Sequence, residues 1–206
     1  MEIVINLKTY RQGDRIRKLV HAIERANNKS IVCVQATDLY NVVKDTKLRV
    51  FAQHVDPFKS GRNTGYIIPE DIKAQGARGS LLNHSEHKIP LKQLKETINV
   101  CRKNKLKVIA CASTLSEVRE LISLNPWAIA YEDPELISTG KSITQYNSAN
   151  VKKFSEMLAN TKIISLCGAG ISSKEDIIKA GELGCKGVLI ASAIAKNGKV
   201  EIIKSV

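Results

Sequence analysis

Gly79-Ser80-Leu81-Leu82-Asn83-His84-Ser85-Glu86 is a short apolar run that opens directly into a histidine and a carboxylate. Its first four residues read as a strand buried on both faces, and the next four as a place for chemistry. Two other runs end in the same way: Ile3-Val4-Ile5-Asn6-Leu7-Lys8 near the start, and Trp127-Ala128-Ile129-Ala130-Tyr131-Glu132 further on. Parallel strands closed into a barrel bring their carboxyl ends to one rim, so these three endings would meet.

Working outward, apolar runs recur at about 2–6, 31–34, 49–53, 79–82, 107–111, 127–131, 162–167 and 187–191, each followed by a stretch that can be helical. The helical assignments rest on spacing: Ile16, Leu19, Val20 and Ile23 share a face, as do Leu91, Leu94, Ile98 and Cys101. Leu115, Val118 and Ile122 repeat the pattern, and so do Val151, Phe154 and Leu158. Pro69 and Pro90 suit first-turn positions, where a missing N–H costs nothing. Eight strands alternating with helices predict an α/β fold, a closed (β/α)8 barrel forming one domain over residues 1–206. So short a chain requires abbreviated helices, and the pattern is weakest in the second, after Asp38, and in the eighth, after Lys199. A doubly wound open sheet shows the same alternation and is the main rival.

Composition narrows the class. Ile, Val, Ala and Leu carry the apolar load, which suits parallel strands buried on both faces. No stretch is long and apolar enough to cross a membrane, and the first residues run straight into a strand instead of a leader, so a cytoplasmic protein is expected. Cys33, Cys101, Cys111, Cys167 and Cys185 make an odd count with no C-x-x-C pair, signalling neither a disulfide frame nor a zinc site. They are expected to be reduced and mostly buried. The net charge of +12 suits nucleic acid or an anionic small molecule. Because the lysines are scattered and not interleaved with aromatics, a solvated surface with a field that favours phosphate is the simpler reading, without nucleic acid as partner.

At the rim, Glu132 is a carboxylate among apolar walls, able to act as a base or merely to end a strand in an ion pair. For His84, the residues Ser85-Glu86 predict a short helix whose N-terminus points back at the ring and favours the neutral imidazole. Lys8 lies one alternation after Asn6, so the two should project to the same side. Late in the chain, Gly168-Ala169-Gly170 precedes Ser172-Ser173, a good helix cap, and Ala191-Ser192 ends the eighth strand with another small pair. Such loops let backbone N–H groups and a helix N-terminus face a phosphate, although a tight turn needs the same residues.

Taken in order, these motifs resemble the triosephosphate isomerase family in its short archaeal form, whose barrel is the (β/α)8, or TIM, barrel. Asn6-Leu7-Lys8-Thr9-Tyr10 is similar to its Asn-x-Lys start, Asn83-His84-Ser85-Glu86 to its histidine motif, and Tyr131 to Gly140 to its glutamate and lid. Cys167 to Ile171 and Leu189 to Ser192 resemble its phosphate loops, and Ala52 to Pro57 with Gly61 to Gly65 its long third loop. The resemblance implies that Glu132 is the base moving a proton between the carbons of a triose phosphate and that His84 is the neutral electrophile. Lys8 and Asn6 would face the substrate oxygens, with Glu86 as a supporting carboxylate. Phosphate would rest around Ile137, Ser138, Gly168, Ala169, Gly170, Ala191 and Ser192, beneath a lid from Asp133 to Thr139. No cofactor and no metal are implied.

Two departures stand out from the family pattern: Asp133 occupies a position usually held by proline, and Ser138 one usually held by glycine. Asp133 would add like charge beside the base if it pointed inward. Thr64 matches a threonine that reaches a neighbouring subunit, so a homodimer or homotetramer is expected, with apolar surface left by the shortened final helix available to cover. Two further readings stay open. Another phosphosugar barrel, such as an epimerase, would usually want metal ligands, and His54 with Asp56 lacks a third partner. A non-enzymatic phosphometabolite-binding barrel would not need Asn6, Lys8, His84 and Glu132 together.

Overall fold

The structure, a computed structural model, describes residues 1–137, 139 and 141–206. Its strands are β1 (Glu2–Asn6), β2 (Ile31–Val34), β3 (Arg49–Ala52), β4 (Gly79–Leu82), β5 (Lys107–Ala112), β6 (Ala128–Glu132), β7 (Ile164–Gly168) and β8 (Gly187–Ile190). Each pairs in parallel with the next, and β8 pairs back onto β1 from Glu2↔Gly187 to Ile5↔Ile190. That closure removes both sheet edges and rules out the open doubly wound alternative.

Alternation along the strands divides the interior in two. Val4, Ile31, Cys33, Phe51, Leu81, Ile109, Cys111, Ala128, Ala130, Leu166 and Leu189 fill the barrel. The intervening residues, such as Ile3, Ile5, Ile129 and Tyr131, pack against the helices outside. Phe51 is fully buried and its ring lies 5.9 Å from that of Trp127. Gly79 stands beside this pair because a Cβ there would collide with the Lys107 carbonyl and the Phe51 ring.

The helices are α1 (Asp14–Ala26), α2 (Ala36–Asp45), α3 (Pro69–Ala74), α4 (Leu91–Lys103), α5 (Leu115–Leu124), α6 (Ile143–Tyr146), α7 (Ser148–Leu158), α8 (Lys174–Glu182) and α9 (Ser192–Ala195). The faces expected from spacing are the buried ones in α1 and α7, where Ile16, Leu19, Val20 and Ile23, then Val151, Phe154 and Leu158, turn to the sheet. Three expectations need correction. The helix after β8, α9, is short as expected at four residues, but the second is ten residues long, held by buried Leu39 and Val42, and α3, after the long third loop, has only six. Pro69 opens α3 as expected, whereas Pro90 sits just outside α4 at the N-cap, in extended backbone. Finally, the shortened end leaves little bare: a 3-10 turn, Val200–Ile203, buries Ile202 and Ile203, and Asn27 donates to the Ile203 carbonyl at 3.2 Å. Leu91 and Ile178 remain as exposed apolar side chains on α4 and α8. Among the described residues no helix is long and apolar enough to cross a membrane.

Because Phe51 fills the barrel floor without solvent exposure, Phe51→Ala should lower the unfolding free energy by about 3–5 kcal/mol in a denaturant titration.

Candidate active site

Strand parity decides which side chains reach the rim from inside. Val4, Ala130 and Leu166 point into the barrel, so Asn6, Glu132 and Gly168, two residues on, point inward at the carboxyl end. Glu132 and Gly168 are register partners across β6 and β7. A Cβ on Gly168 would stand 3.2 Å from Glu132 Oε1, 3.3 Å from its Cγ and 2.9 Å from the Leu189 carbonyl. Gly168 is therefore a seat for the Glu132 side chain as well as a loop residue.

His84 has the wrong parity for the site and arrives by another route. Asn83 adopts left-handed backbone (φ 59°), which turns the chain back over the rim after β4. Its side chain is pinned at both ends, Nδ2 donating to the Cys111 carbonyl at 3.0 Å and Oδ1 accepting from the Ile89 N–H at 3.2 Å. His84 Nε2 then lies 3.2 Å from Glu132 Oε2. No helix follows His84; residues 85–86 form a turn, a correction to the expected helix N-terminus. The turn still does part of that job, since the Glu86 N–H donates to His84 Nδ1 at 3.2 Å. A ring nitrogen that accepts carries no proton, so Nδ1 is bare and the ring proton of the neutral tautomer sits on Nε2.

Glu132 is buried, and its Oε2 has no hydrogen-bond partner despite the short approach to His84. A buried carboxylate oxygen in that state is a strong acceptor awaiting a proton or a donor. Behind it stands Cys111, whose thiol is pushed well up by burial and then by the Glu132 charge, and so remains a neutral S–H.

Lys8 and Asn6 do come to one cavity, but not by simple alternation. β1 ends at Asn6, and Lys8 is left-handed (φ 48°), its N–H held by Asn6 Oδ1 at 3.0 Å. Gln53, which the sequence offers only as part of the third-loop motif, clamps the same turn by donating to the Lys8 carbonyl at 3.0 Å and the Cys33 carbonyl at 3.1 Å. Lys8 Nζ meets Glu86 Oε1 at 2.5 Å. Asn6, Lys8, His84 and Glu86 line a cavity of about 370 Å³ together with Thr9, Gln35, Thr37, Gln53, His54 and His87. A larger cavity of about 520 Å³ lies by Met1, Arg49 and Val206 and contains none of these groups.

The phosphate-loop candidates cluster on the other side of Glu132. The Ala169 carbonyl accepts from the Ile143 N–H at 3.1 Å. Gly170 is left-handed (φ 75°), and a side chain there would strike the Lys141 carbonyl, so Lys141 packs directly on this loop. Ala191 and Ser192 sit between β8 and α9, and Arg11 Nε braces that unit on the Ala195 carbonyl at 2.9 Å. The N-terminus of α8 does not face outward for an anion. Asp176 Oδ2 takes the N–H groups of Ser172 at 3.0 Å and Ser173 at 3.1 Å, completing a capping box. Burial raises the Asp176 carboxyl, but the hydrogen bonds from Ser172, Ser142 and Ser173 outweigh it and leave it below its ordinary value. Ile137 donates its own N–H to the Pro134 carbonyl at 3.3 Å, closing the 3-10 turn Pro134–Leu136. Ser138 lies outside the described residues.

Thr64 is not brought to this site within one chain. It is exposed on the third loop, whose base is tied where the Asp56 N–H donates to the Ile67 carbonyl at 2.7 Å and the Ile67 N–H to Asp56 Oδ2 at 2.9 Å. Asp133 does not add its charge beside the base, because it points away: Oδ1 caps the Glu135 N–H at 3.1 Å and Oδ2 accepts from Asn147 at 2.9 Å.

A (β/α)8 barrel whose rim joins a buried carboxylate, a neutral imidazole, a lysine and small-residue loops has the parts of a phosphosugar isomerase. Residues 1–206 match the family described as Triosephosphate isomerase. Among curated relatives, the triosephosphate isomerase of Methanocaldococcus jannaschii is 36% identical over 98% of this chain and 95% of its own length. That of Sulfolobus acidocaldarius is 39% identical over 97% and 90%, and that of Methanobrevibacter smithii 35% over 98% and 95%. The chain belongs to the triosephosphate isomerase family, and with it to the isomerases of triose phosphates.

The seat under Glu132 and the half-buried His54 can each be tested. Gly168→Ala should displace Glu132 and cut kcat about a hundredfold, since a shift near 1 Å is enough for that, while circular dichroism shows the barrel intact. His54 stacks on His87 at 4.3 Å and approaches Asp56 at 3.3 Å. Burial lowers its pKa, and neighbouring His87 adds to this against the pull of Asp56. A base that resists its proton in the fold gains it first when unfolded, so stability should fall as pH drops from about 6.5, the ordinary histidine value, toward the lower folded one. Thermal midpoints of the native chain should show that slope and those of His54→Gln a shallower one.

Proposed function

We propose that the chain interconverts D-glyceraldehyde 3-phosphate and dihydroxyacetone phosphate through an enediolate, with Glu132 as the base and His84 as the electrophile. The observation that carries this reading is the Glu132–His84 pair: an unpartnered buried carboxylate oxygen facing, at 3.2 Å, an imidazole whose Nδ1 is already occupied. A carboxylate in that setting takes the proton from the carbon beside the carbonyl, and the Nε2–H donates to the oxygen on which negative charge develops. The same carboxyl then returns the proton to the neighbouring carbon, while the hydroxyl on the first carbon gives its own proton, by way of the imidazole, to the oxygen that bore the charge, which turns ketose into aldose. Isomerisation of triose phosphates is itself the standard example of a glutamate base working with a neutral imidazole, so this division of roles is general enzymology and not a discovery of this structure.

Lys8 supplies a fixed positive charge and Asn6 a further donor for the substrate oxygens, with Glu86 holding the Lys8 ammonium in place. Phosphate rests on the main chain of Gly168, Ala169, Gly170, Ala191 and Ser192, with Ile137 and Ser138 joining from the lid. For Ile137 this requires opening its hydrogen bond to Pro134, which makes closure a rearrangement of the 3-10 turn instead of a rigid swing. Closure keeps water from an enediolate that otherwise expels phosphate.

Residues 1–206 act as one unit in this reading, because the first strand pairs with the last. The working form is a homodimer or a homotetramer. Thr64, exposed on its tied loop, reaches the Asn6–Lys8 turn of a second copy through the cavity beside Lys8, and exposed Leu91 on α4 offers a further face. Unpaired, buried thiols at all five cysteines agree with a cytoplasmic setting.

A coupled dehydrogenase assay on glyceraldehyde 3-phosphate should show fast conversion by the native chain and a loss of at least about a hundredfold in Glu132→Asp, which shortens the reach of the base. A well-folded native sample that converts nothing would refute the proposal.

A further inference from the structure

The residue after Glu132 is tied both to the scaffold and to the first turn after the strand. Asp133 follows β6 directly with φ −79° and ψ 113°. One carboxylate oxygen caps the 3-10 turn that begins the lid, through the Glu135 N–H at 3.1 Å. The other accepts from Asn147 Nδ2 at 2.9 Å. Asn147 is the N-cap residue of α7, its own N–H bonded to the Ile143 carbonyl at 2.9 Å. That helix is anchored by buried Val151, Phe154 and Leu158, and its Phe154 ring lies 5.5 Å from Tyr131, the residue preceding Glu132. Two side chains on either side of the base, Tyr131 and Asp133, therefore fasten the same strand end to the same helix.

We infer that Asp133 and Asn147 form a latch that acts as a positioning device: it holds the backbone of Glu132 still while the lid beyond Pro134 rearranges. This rests on the reading of Glu132 as the base. A hinge adjoining a base has two opposed requirements, freedom for the lid and fixity for the proton acceptor. A residue held at φ −79°, with one carboxylate oxygen bonded to Asn147 at the start of α7, meets the second requirement. The same φ lies within the range imposed by a proline ring, so ring closure and the Asp133–Asn147 bond are two ways of imposing one restraint. Burial, followed by the Asp133 charge, raises the neighbouring Tyr131 hydroxyl against the opposing pull of Asn150 and Asn147.

The test uses the full chain and measures kcat, KM and inorganic phosphate released per turnover for Asp133→Ala, Asn147→Ala, the double variant and Asp133→Pro. Phosphate per turnover is independent of any inactive fraction, so a loss of folding alone does not move it. We expect each alanine variant to lower kcat about tenfold with KM little changed and to raise phosphate release several-fold. The double variant should be no worse than the poorer single, as for two partners in one contact. Asp133→Pro, which restores the restraint without the carboxylate, should regain most of the lost kcat and the native phosphate ratio. Native kcat and phosphate ratio in Asp133→Ala, additive losses in the double variant, or Asp133→Pro as impaired as Asp133→Ala would each overturn the latch. Failure of the base reading is separate: it would show as isomerisation that survives Glu132→Gln, whatever the Asp133 variants do.

Discussion

The pairing of β8 with β1 is the constraint on which the site depends. Every neighbouring pair is parallel, and the register from Glu2↔Gly187 to Ile5↔Ile190 closes these like-directed strands into one wall. Their carboxyl ends then form a ring, and inward parity carries Asn6, Glu132 and Gly168 to its inner side. Residues separated by more than a hundred positions in sequence become neighbours without any one of them having to specify the others. The wall is also tightly packed with branched side chains, so the ring is stiff enough to hold Glu132 and His84 at fixed separation.

Rigidity at the ring is supplemented by local devices at each strand exit. Left-handed Asn83 and Lys8 redirect two chains over the rim, and each is pinned, Asn83 by its own side chain and Lys8 through Asn6 and Gln53. Left-handed backbone costs about 1–3 kcal/mol at residues other than glycine, which places these turns among the strained positions that functional sites hold. Gly168 and Gly170 do the opposite, removing side chains so that Glu132 and Lys141 can come close. Asp176 ties Ser172, Ser173 and Gln145 together, linking α6 to α8. Asp133 on Asn147 and Lys141 against Gly170 are thus two fixed contacts.

Much of this is legible in the sequence because it follows from hydrophobic periodicity. The eight strands stand within a residue or two of where apolar runs put them, and the faces of α1 and α7 are those that spacing defines. The lengths of the second and third helices are not legible, because a long loop before Pro69 takes residues that α3 would otherwise use, and periodicity does not register tertiary room. At the site, residue types are readable and their directions are not. Asp133 beside Glu132 looks like repulsion in one dimension; only the fold brings Asn147 near enough to turn it outward. The Ser172-Ser173 cap looks like an anion seat, yet Asp176 already occupies its N–H groups. His84 reaches its neutral form through one backbone N–H of a turn, where Ser85-Glu86 suggests a helix.

The central claim is that Glu132 carries the substrate proton. Isomerisation of dihydroxyacetone phosphate in deuterium oxide, followed by proton NMR, tests it most directly by comparing the native chain with the isosteric Glu132→Gln. The account predicts that the native chain introduces solvent deuterium at the carbon beside the carbonyl as it isomerises, and that Glu132→Gln, equally folded, does neither. Deuterium entering at the native rate in Glu132→Gln would contradict it and place the base elsewhere on the rim.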